Sequence, residues 1–321
     1  MRRLLLLSAC LLACARVDAA QGKKTPDPAV GVMSVIMGSK DFDIREGLPQ
    51  NFTEARMVMN AVGAMSAKET KNGKPDVELM KLAGKYYADM ARDPAFKDLP
   101  TALAPSLSGH TRPPCHYFLY VPKAYATAPK DKKWPMMVVL HGAGGNFKVG
   151  FPVIVKEAEA RGYILVSPTY RMDGTWWKPE AVSFLKRVIE DVRGNYRVNA
   201  GRIALAGVSN GAAGAWAISR AESKLFHAVV SISGPFEGSP EPAATEGPPV
   251  YIVHGARDGV ISVKFSRNAH KVLSKTRPGT EYREYPRAGH LVFFTQMEDI
   301  LKHTFNWLSR RSDAGAAGEK K

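Results

Sequence analysis

From residue 114 onward the sequence alternates short apolar runs with longer stretches of helical periodicity, and this alternation limits the fold more than any other feature. Runs that are apolar throughout are typical of parallel strands covered by helices on both faces. Residues 116–121 alternate instead, which predicts an antiparallel entry strand. Buried strands are expected at 136–140, 163–166, 202–206, 228–232 and 250–253, a last strand at 282–285, and the clearest helix at 179–195. We therefore expect an α/β domain over residues 113–311, with a mostly parallel sheet and helices on both faces.

The preceding region, residues 21–112, has a helical pattern rich in Met, Lys and Ala and no alternating strands, which predicts a helical N-terminal extension. Thr53 is a suitable N-cap for a first helix, and apolar residues recur at helical spacing through 76–92. A methionine-rich helix face fits packing on the α/β domain, with a flexible binding surface as the alternative. Residues 312–321 carry little to bury and predict a disordered tail.

The first 20 residues have the form of a secretory signal peptide: a basic start, an apolar run over 4–15, and small residues ending at Ala20. Cleavage after Ala19 is the first interpretation. The alternative is lipidation of Cys14 or Cys10, since the residues before each resemble a lipoprotein processing motif. The protein is therefore expected to be secreted or periplasmic, and attached to a membrane only if an N-terminal lipid anchors it. Only Cys115 remains after the leader, so no intrachain disulfide is expected.

The chain is basic, with 45 Lys and Arg against 30 Asp and Glu and a formal charge of +15. Acidic residues are interspersed among the basic ones, which is typical of an ordinary solvated surface. The sequence has no zinc-ligand spacing, phosphate loop or RNA-binding signature, so nucleic acid is not an expected partner.

Within the α/β domain, the run 202–206 leads into Gly207-Val208-Ser209-Asn210-Gly211 and then into a helical stretch. A strand, a sharp turn with this spacing and a helix together form a nucleophile elbow. The two glycines allow the turn without steric clash, and the serine hydroxyl then stands at the helix N-terminus, clear of the sheet. Ser209 is therefore the candidate nucleophile.

A serine hydroxyl needs a histidine to accept its proton and a carboxylate to orient that histidine. On this fold the acid and then the histidine follow the serine along the chain. Asp258 and His290 each lie just beyond a predicted strand, where an open sheet gathers its catalytic loops. Competing candidates lie inside a predicted strand, beside the wrong strand end or on predicted helices: Glu281, Glu284, His254, His270 and His303. We predict that Asp258 is the acid and His290 the base.

Acyl transfer also requires N–H groups directed at the developing oxyanion, each contributing about 3 to 4 kcal/mol. The amide of Asn210, the residue after the nucleophile, is one predicted donor. The glycine-rich loop that begins at His141 follows a predicted strand and would supply the other, with Ala143 as the first choice and Gly144 as the second.

A loop with tandem tryptophans follows the next predicted strand. Trp176 and Trp177 are predicted to line a pocket for a sugar or aromatic ester, or alternatively to cap the helix that follows. Arg171 in the same loop is the candidate partner of a substrate carboxylate.

Four segments together resemble the α/β-hydrolase esterases, particularly the phospholipase/carboxylesterase and polyhydroxybutyrate-depolymerase/feruloyl-esterase-like group. They are residues 140–146, 207–211, 254–258 and 289–290, and the similarity extends over roughly 114–310. The resemblance implies a Ser209, Asp258 and His290 triad with no metal or organic cofactor.

The sequence thus predicts a serine hydrolase that cleaves a small or polymeric carboxylic ester through an acyl-enzyme. Two alternatives remain. A serine peptidase of the prolyl-oligopeptidase type shares the fold and the triad, although such enzymes usually carry a propeller. A non-catalytic binding module on a hydrolase fold is the second.

Overall fold

The computed structural model describes residues 29–37, 54–99, 115–144, 148–236 and 247–318. The predicted leader over 1–20, including Cys10 and Cys14, lies outside these ranges. None of the helices within them is long and apolar enough to cross a lipid bilayer. Cys115 is buried and carries a free thiol.

Strands and helices alternate along most of the described chain. In order they are β1 (Gly31–Met37), α1 (Glu54–Ala67), α2 (Val77–Arg92), β2 (Cys115–Val121), β3 (Trp134–Leu140), α3 (Phe151–Arg161), β4 (Ile164–Thr169), α4 (Pro179–Asn195), β5 (Val198–Val208), α5 (Asn210–Ala221), β6 (Ala228–Ile232), β7 (Val250–Gly255), α6 (Lys264–Thr276), β8 (Glu281–Tyr285), α7 (Val292–Thr295) and α8 (Met297–Gly318).

The described strands form one sheet in the order β1-β2-β4-β3-β5-β6-β7-β8. β2 runs antiparallel to its neighbours β1 and β4, and every other pair is parallel. β3, β4, β6 and β7 are buried along their whole length because hydrophobic clusters cover both faces of the sheet. These features confirm the predicted fold class, including the antiparallel entry strand.

The structure corrects two predictions at the ends of the chain. The N-terminal extension is not wholly helical, because β1 pairs with β2 from Gly31 opposite Val121 to Met37 opposite Cys115. The β-branched residues in Gly31–Met37 favour extended backbone, and the composition of the surrounding region masked this signal. At the other end, α8 continues to Gly318, past residue 312 where a disordered tail was predicted.

Helices α1 and α2 form a hairpin whose turn is fixed by local hydrogen bonds. Thr70 Oγ1 donates to the carbonyl of Lys74 at 2.6 Å, and the amide of Asp76 donates to Ser66 Oγ at 2.8 Å. Asp76 is also the N-cap of α2, since its carboxylate accepts from two amides in the first turn. The turn between the helices is therefore a defined structure.

This helical hairpin is packed on the α/β domain. Val58 and Val62 of α1 are buried in a cluster with Leu291. Glu54 at the start of α1 pairs with Lys148 at 3.3 Å, with side chains only 9% and 8% exposed. The hairpin therefore covers loops that follow β3 and β8, at the carboxyl ends of the parallel strands.

Candidate active site

Ser209 lies at the turn between β5 and α5 with a φ of 55° and a ψ of −119°, a region that residues other than glycine rarely adopt. A Cβ on Gly207 would lie 2.1 Å from the carbonyl oxygen of Gly211, and one on Gly211 would lie 2.2 Å from that of Leu140. Both positions are therefore restricted to glycine by close backbone contact. The strained backbone holds the Ser209 side chain at the N-terminus of α5.

The structure brings Ser209, His290 and Asp258 together, although they follow three different strands. Ser209 Oγ lies 3.0 Å from His290 Nε2, and His290 Nδ1 lies 2.8 Å from Asp258 Oδ2. A carboxylate only accepts hydrogen bonds, so Nδ1 carries the imidazole proton and Nε2 is free to accept from the serine hydroxyl. The side chains of both His290 and Asp258 are almost fully buried.

The Asp258 carboxylate is held in its charged form. Burial opposes ionisation, but hydrogen bonds from His254 and His290 and from the amide of Ile261 outweigh it and hold the pKa of Asp258 well below its usual value. The amides of Val260 and Ile261 both donate to Oδ1 at 2.8 Å. Asp258 is therefore a fixed acceptor for His290.

His254 supports Asp258, a role that the sequence did not indicate. Its Nε2 lies 2.9 Å from Asp258 Oδ2 and 3.0 Å from the carbonyl oxygen of Ile261, so this nitrogen must carry a proton. Its Nδ1 then accepts from the Ser266 hydroxyl at 2.7 Å. Strand β7 ends with His254 pointing at the loop that carries Asp258, and only the folded loop reveals this contact.

The loop after β3 is fixed by the side chain of its first residue. His141 Nδ1–H donates to the carbonyl of Gly142 at 2.8 Å, and Nε2 accepts from the amide of Tyr170 at 3.1 Å. Burial lowers the pKa of His141 to about 4, so the ring is neutral near pH 7. Gly142 lies directly over the elbow, where a Cβ would be 3.0 Å from the carbonyl oxygen of Val208.

The predicted oxyanion donors differ in their availability. The amide of Gly144 donates to the carbonyl of Met172 at 2.7 Å, so it is occupied and does not fit the role assigned to it. The amide of Ala143 has no acceptor within the described residues, and Ala143 lines the cavity above Ser209. The amide of Asn210 is at the start of α5, where helix amides lack an intrahelical partner.

The tandem tryptophans do not form a pocket wall. Trp176 is fully buried, and its indole N–H donates to the carbonyl of His141 at 2.9 Å. Trp177 is 44% exposed and lies outside the cavity. Arg171 faces Asp173 at 3.5 Å rather than the cavity. The predicted pocket roles of Trp176, Trp177 and Arg171 are therefore wrong. Trp176 instead braces the loop beneath the active site, and the other two side chains lie away from the cavity.

A cavity of about 690 Å³, including its open mouth, lies above Ser209 and His290. Apolar side chains make up most of its wall: Val58, Ala61, Val62, Met65, Val208, Leu291, Phe293 and Phe294. Half of them belong to α1, so the helical hairpin forms one side of the cavity. Within the described ranges, no group of three or more His, Cys, Asp or Glu side chains is placed to hold a metal ion.

Comparisons with known proteins agree with this architecture. The phospholipase/carboxylesterase family model matches residues 179–308, a stretch that contains Ser209, Asp258 and His290. Comparison with curated protein sequences finds no match.

Among solved structures, a thermostable esterase is 21% identical with a TM-score of 0.53, over 61% of this chain and 59% of that esterase. A fluorophosphonate-binding serine hydrolase of Staphylococcus aureus is 12% identical with a TM-score of 0.50, over 61% of this chain and 92% of the other. An acylaminoacyl peptidase of Pyrococcus horikoshii is 16% identical with a TM-score of 0.49, over 62% and 39%.

The alignment thus spans less than two thirds of the thermostable esterase, and at these identities the first two structures show a shared fold. The chain thus has the α/β-hydrolase fold, and its residues 179–308 are similar to the phospholipase/carboxylesterase family.

Proposed function

We propose that this chain hydrolyses carboxylic esters through Ser209, His290 and Asp258. The observation that carries the proposal is the continuous chain of hydrogen bonds from Ser209 Oγ to His290 and on to the buried Asp258, at 3.0 and 2.8 Å. A serine beside an oriented imidazole that can accept its proton is an activated nucleophile.

In the proposed reaction, Ser209 Oγ attacks the ester carbonyl carbon while His290 Nε2 takes the hydroxyl proton. The amides of Ala143 and Asn210 stabilise the resulting oxyanion, each by about 3 to 4 kcal/mol. His290 then returns the proton to the leaving alcohol, which leaves an acyl group on Ser209. Water, deprotonated by His290, attacks the acyl-enzyme and releases the carboxylic acid.

The apolar wall of the cavity favours a substrate with an uncharged, apolar acyl group. Apart from His290, its described wall contains no acidic or basic side chain. A charged peptide terminus would find no partner there, so desolvating it would cost free energy without compensation. For this reason we favour an ester over the substrates of a peptidase.

The experiment is hydrolysis of p-nitrophenyl esters by the wild type and by Ser209→Ala, which should lower kcat by about 10⁶-fold. Ser233→Ala is the matched control, because Ser233 also has a positive φ, of 48°, just after a parallel strand, but its buried hydroxyl has no hydrogen-bond partner among the described residues. The control should stay within about twofold of the wild type. Undiminished turnover by Ser209→Ala would refute the proposed nucleophile.

A substrate panel tests the acyl specificity and the alternatives. Acetyl, long-acyl, feruloyl and polyester substrates are compared with N-acylated peptides, and turnover of the apolar acyl esters should exceed that of the peptides. Faster cleavage of the peptides would favour a serine peptidase. A folded protein that cleaves neither class would favour a binding module.

We also propose that the mature enzyme is exported, on the basis of the leader-like residues 1–20. Intact mass of the exported protein should match cleavage after Ala19. A mass with acyl chains on Cys14 or Cys10 would indicate a lipoprotein, and an uncleaved cytoplasmic chain would contradict export.

A further inference from the structure

Glu69 connects the helical hairpin to the two loops that carry the acid and the base. It lies in the turn between α1 and α2, and its Oε1 accepts hydrogen bonds from the amides of Gly259 and His290. Gly259 directly follows Asp258. One carboxylate oxygen thus holds the backbone beside the acid and the backbone of the base itself.

The packing around this carboxylate is close. A Cβ on Gly289 would lie 2.0 Å from Glu69 Oε2 and 2.4 Å from its Cδ, so the Glu69 side chain lies directly against the residue before His290. A Cβ on Gly259 would lie 3.1 Å from the carbonyl oxygen of Lys68. The backbone of the hairpin turn and the Glu69 side chain therefore both contact these two loops.

On the basis of the proposed function, we propose that Glu69 is a positioning residue that sets the distance between Asp258 and His290 through their backbones. It acts through backbone amides and does not touch the reacting atoms. The two loops follow different strands, β7 and β8, and they meet through backbone hydrogen bonds from Ala256 to Tyr285 and from Arg257 to Ala288. Glu69 adds a charged acceptor beyond this contact, next to the acid and at the base itself, and hydrogen bonds to a charged group are the stronger kind. Displacement of a catalytic group by about 1 Å lowers turnover by about 100-fold.

Through Glu69, the helical hairpin positions the catalytic histidine in addition to forming part of the cavity wall. Leu291, the residue after His290, is buried in one cluster with Val58 and Val62 of α1. Apolar packing therefore holds the hairpin against the loop that carries His290, and the hydrogen bonds to Glu69 fix where the two meet. The catalytic histidine is correctly placed only when the hairpin is docked.

The test compares Glu69→Ala, Glu69→Gln and Thr70→Val in the full chain. Glu69→Ala should lower kcat for a p-nitrophenyl ester by about 100-fold with little change in KM, and should slow fluorophosphonate labelling equally. Glu69→Gln keeps a carbonyl oxygen for both amides but loses the charge that strengthens their hydrogen bonds, so its kcat should fall by only about threefold. Thr70→Val removes the hydroxyl that closes the same turn but spares the carboxylate, so it controls for a loosened hairpin.

A spectroscopic measurement makes the outcome independent of turnover. The Nδ1 proton that His290 shares with Asp258 should give a low-field proton NMR signal in the wild type and in Glu69→Gln, and the signal should weaken or shift in Glu69→Ala. Unchanged kcat and signal in Glu69→Ala would overturn the proposal, as would equal losses in Thr70→Val. A wild type that is inactive towards esters but shows this Glu69-dependent signal would refute the proposed function while supporting the positioning role.

Discussion

The Ser209 side of the candidate active site is held by backbone packing, whereas the side of Asp258 and His290 is held by hydrogen bonds to side chains, one of them from the distant helical hairpin. Ser209 is fixed where Gly207 and Gly211 allow β5 and α5 to contact each other and β3. Asp258 and His290 depend on His254 and on Glu69 from the helical hairpin. We therefore expect a single methyl group added at the elbow glycines to lower activity by displacing Ser209. Removal of the Glu69 carboxylate should lower activity by displacing His290 from Asp258.

The largest effect is expected at the elbow. In Gly211→Ala, the new Cβ would lie 2.2 Å from the carbonyl oxygen of Leu140 and 2.6 Å from that of His141. Relief of this overlap moves both Ser209 and the loop after β3 that carries Ala143, here called the oxyanion loop, so kcat should fall by roughly 1000-fold. Overpacking should also lower the free energy of unfolding by about 1 to 3 kcal/mol. Ester kinetics and denaturant unfolding measure the two effects.

The matched control is Gly194→Ala, on helix α4. Apart from its chain neighbours and its own helix backbone, no atom of the described residues lies within 4 Å of a Cβ at Gly194, so alanine there should leave kcat unchanged. Because alanine favours helix over glycine, it should stabilise the fold by up to about 1 kcal/mol. A Gly211→Ala variant as active as this control would show that the elbow is not rigid.

A smaller effect is expected from the tryptophan that braces the oxyanion loop. Trp176→Phe leaves the carbonyl of His141 without the indole N–H, so the loop should shift and kcat should fall by about 10-fold. The unfolding free energy should fall by about 1 to 3 kcal/mol, from the unpaired carbonyl. Trp177→Phe, which alters an exposed side chain, should change kcat by less than about twofold. A larger loss of kcat in Trp177→Phe than in Trp176→Phe would indicate that Trp177 contacts the substrate.

The smallest effect on activity near pH 7 is expected from His116, which together with His141 should make the stability of the fold depend on pH. Burial lowers the pKa of His141 to about 4 and that of His116 to about 3, from 6.5. Between those values the unfolded chain binds more protons, so their contribution is complete above pH 6.5 and is lost as the pH falls through this window. Each contributes a slope of up to about 1.4 kcal/mol per pH unit.

Denaturant unfolding between pH 7 and pH 4.5 measures that slope. His116→Gln removes one of these rings, on strand β2, which β4 and β3 separate from β5. The slope should fall by about one proton while kcat at pH 7 changes little. If the unfolding free energy of this variant fell as steeply with pH as that of the wild type, other groups would be responsible for the acid sensitivity.

The difference between local packing at Ser209 and long-range contacts at His290 also explains which features the sequence could predict. The elbow, Asp258 and His290 are marked by local patterns at strand ends, and the buried apolar runs define most of the sheet. Glu69 and His254 carry no such mark, because their partners are distant in sequence or become neighbours only when a loop closes. Trp176 was misassigned for a related reason: an aromatic side chain in a loop is equally suited to a pocket or to a core. Strand β1 was missed because its partner, β2, lies beyond the whole hairpin.

The most direct test of the proposed chemistry is the mass-spectrometric location of a fluorophosphonate adduct on the folded protein. The proposed triad predicts one covalent adduct per chain, on the peptide containing Ser209, and none in Ser209→Ala. An adduct on another residue, or no adduct on a protein that remains folded, would contradict it.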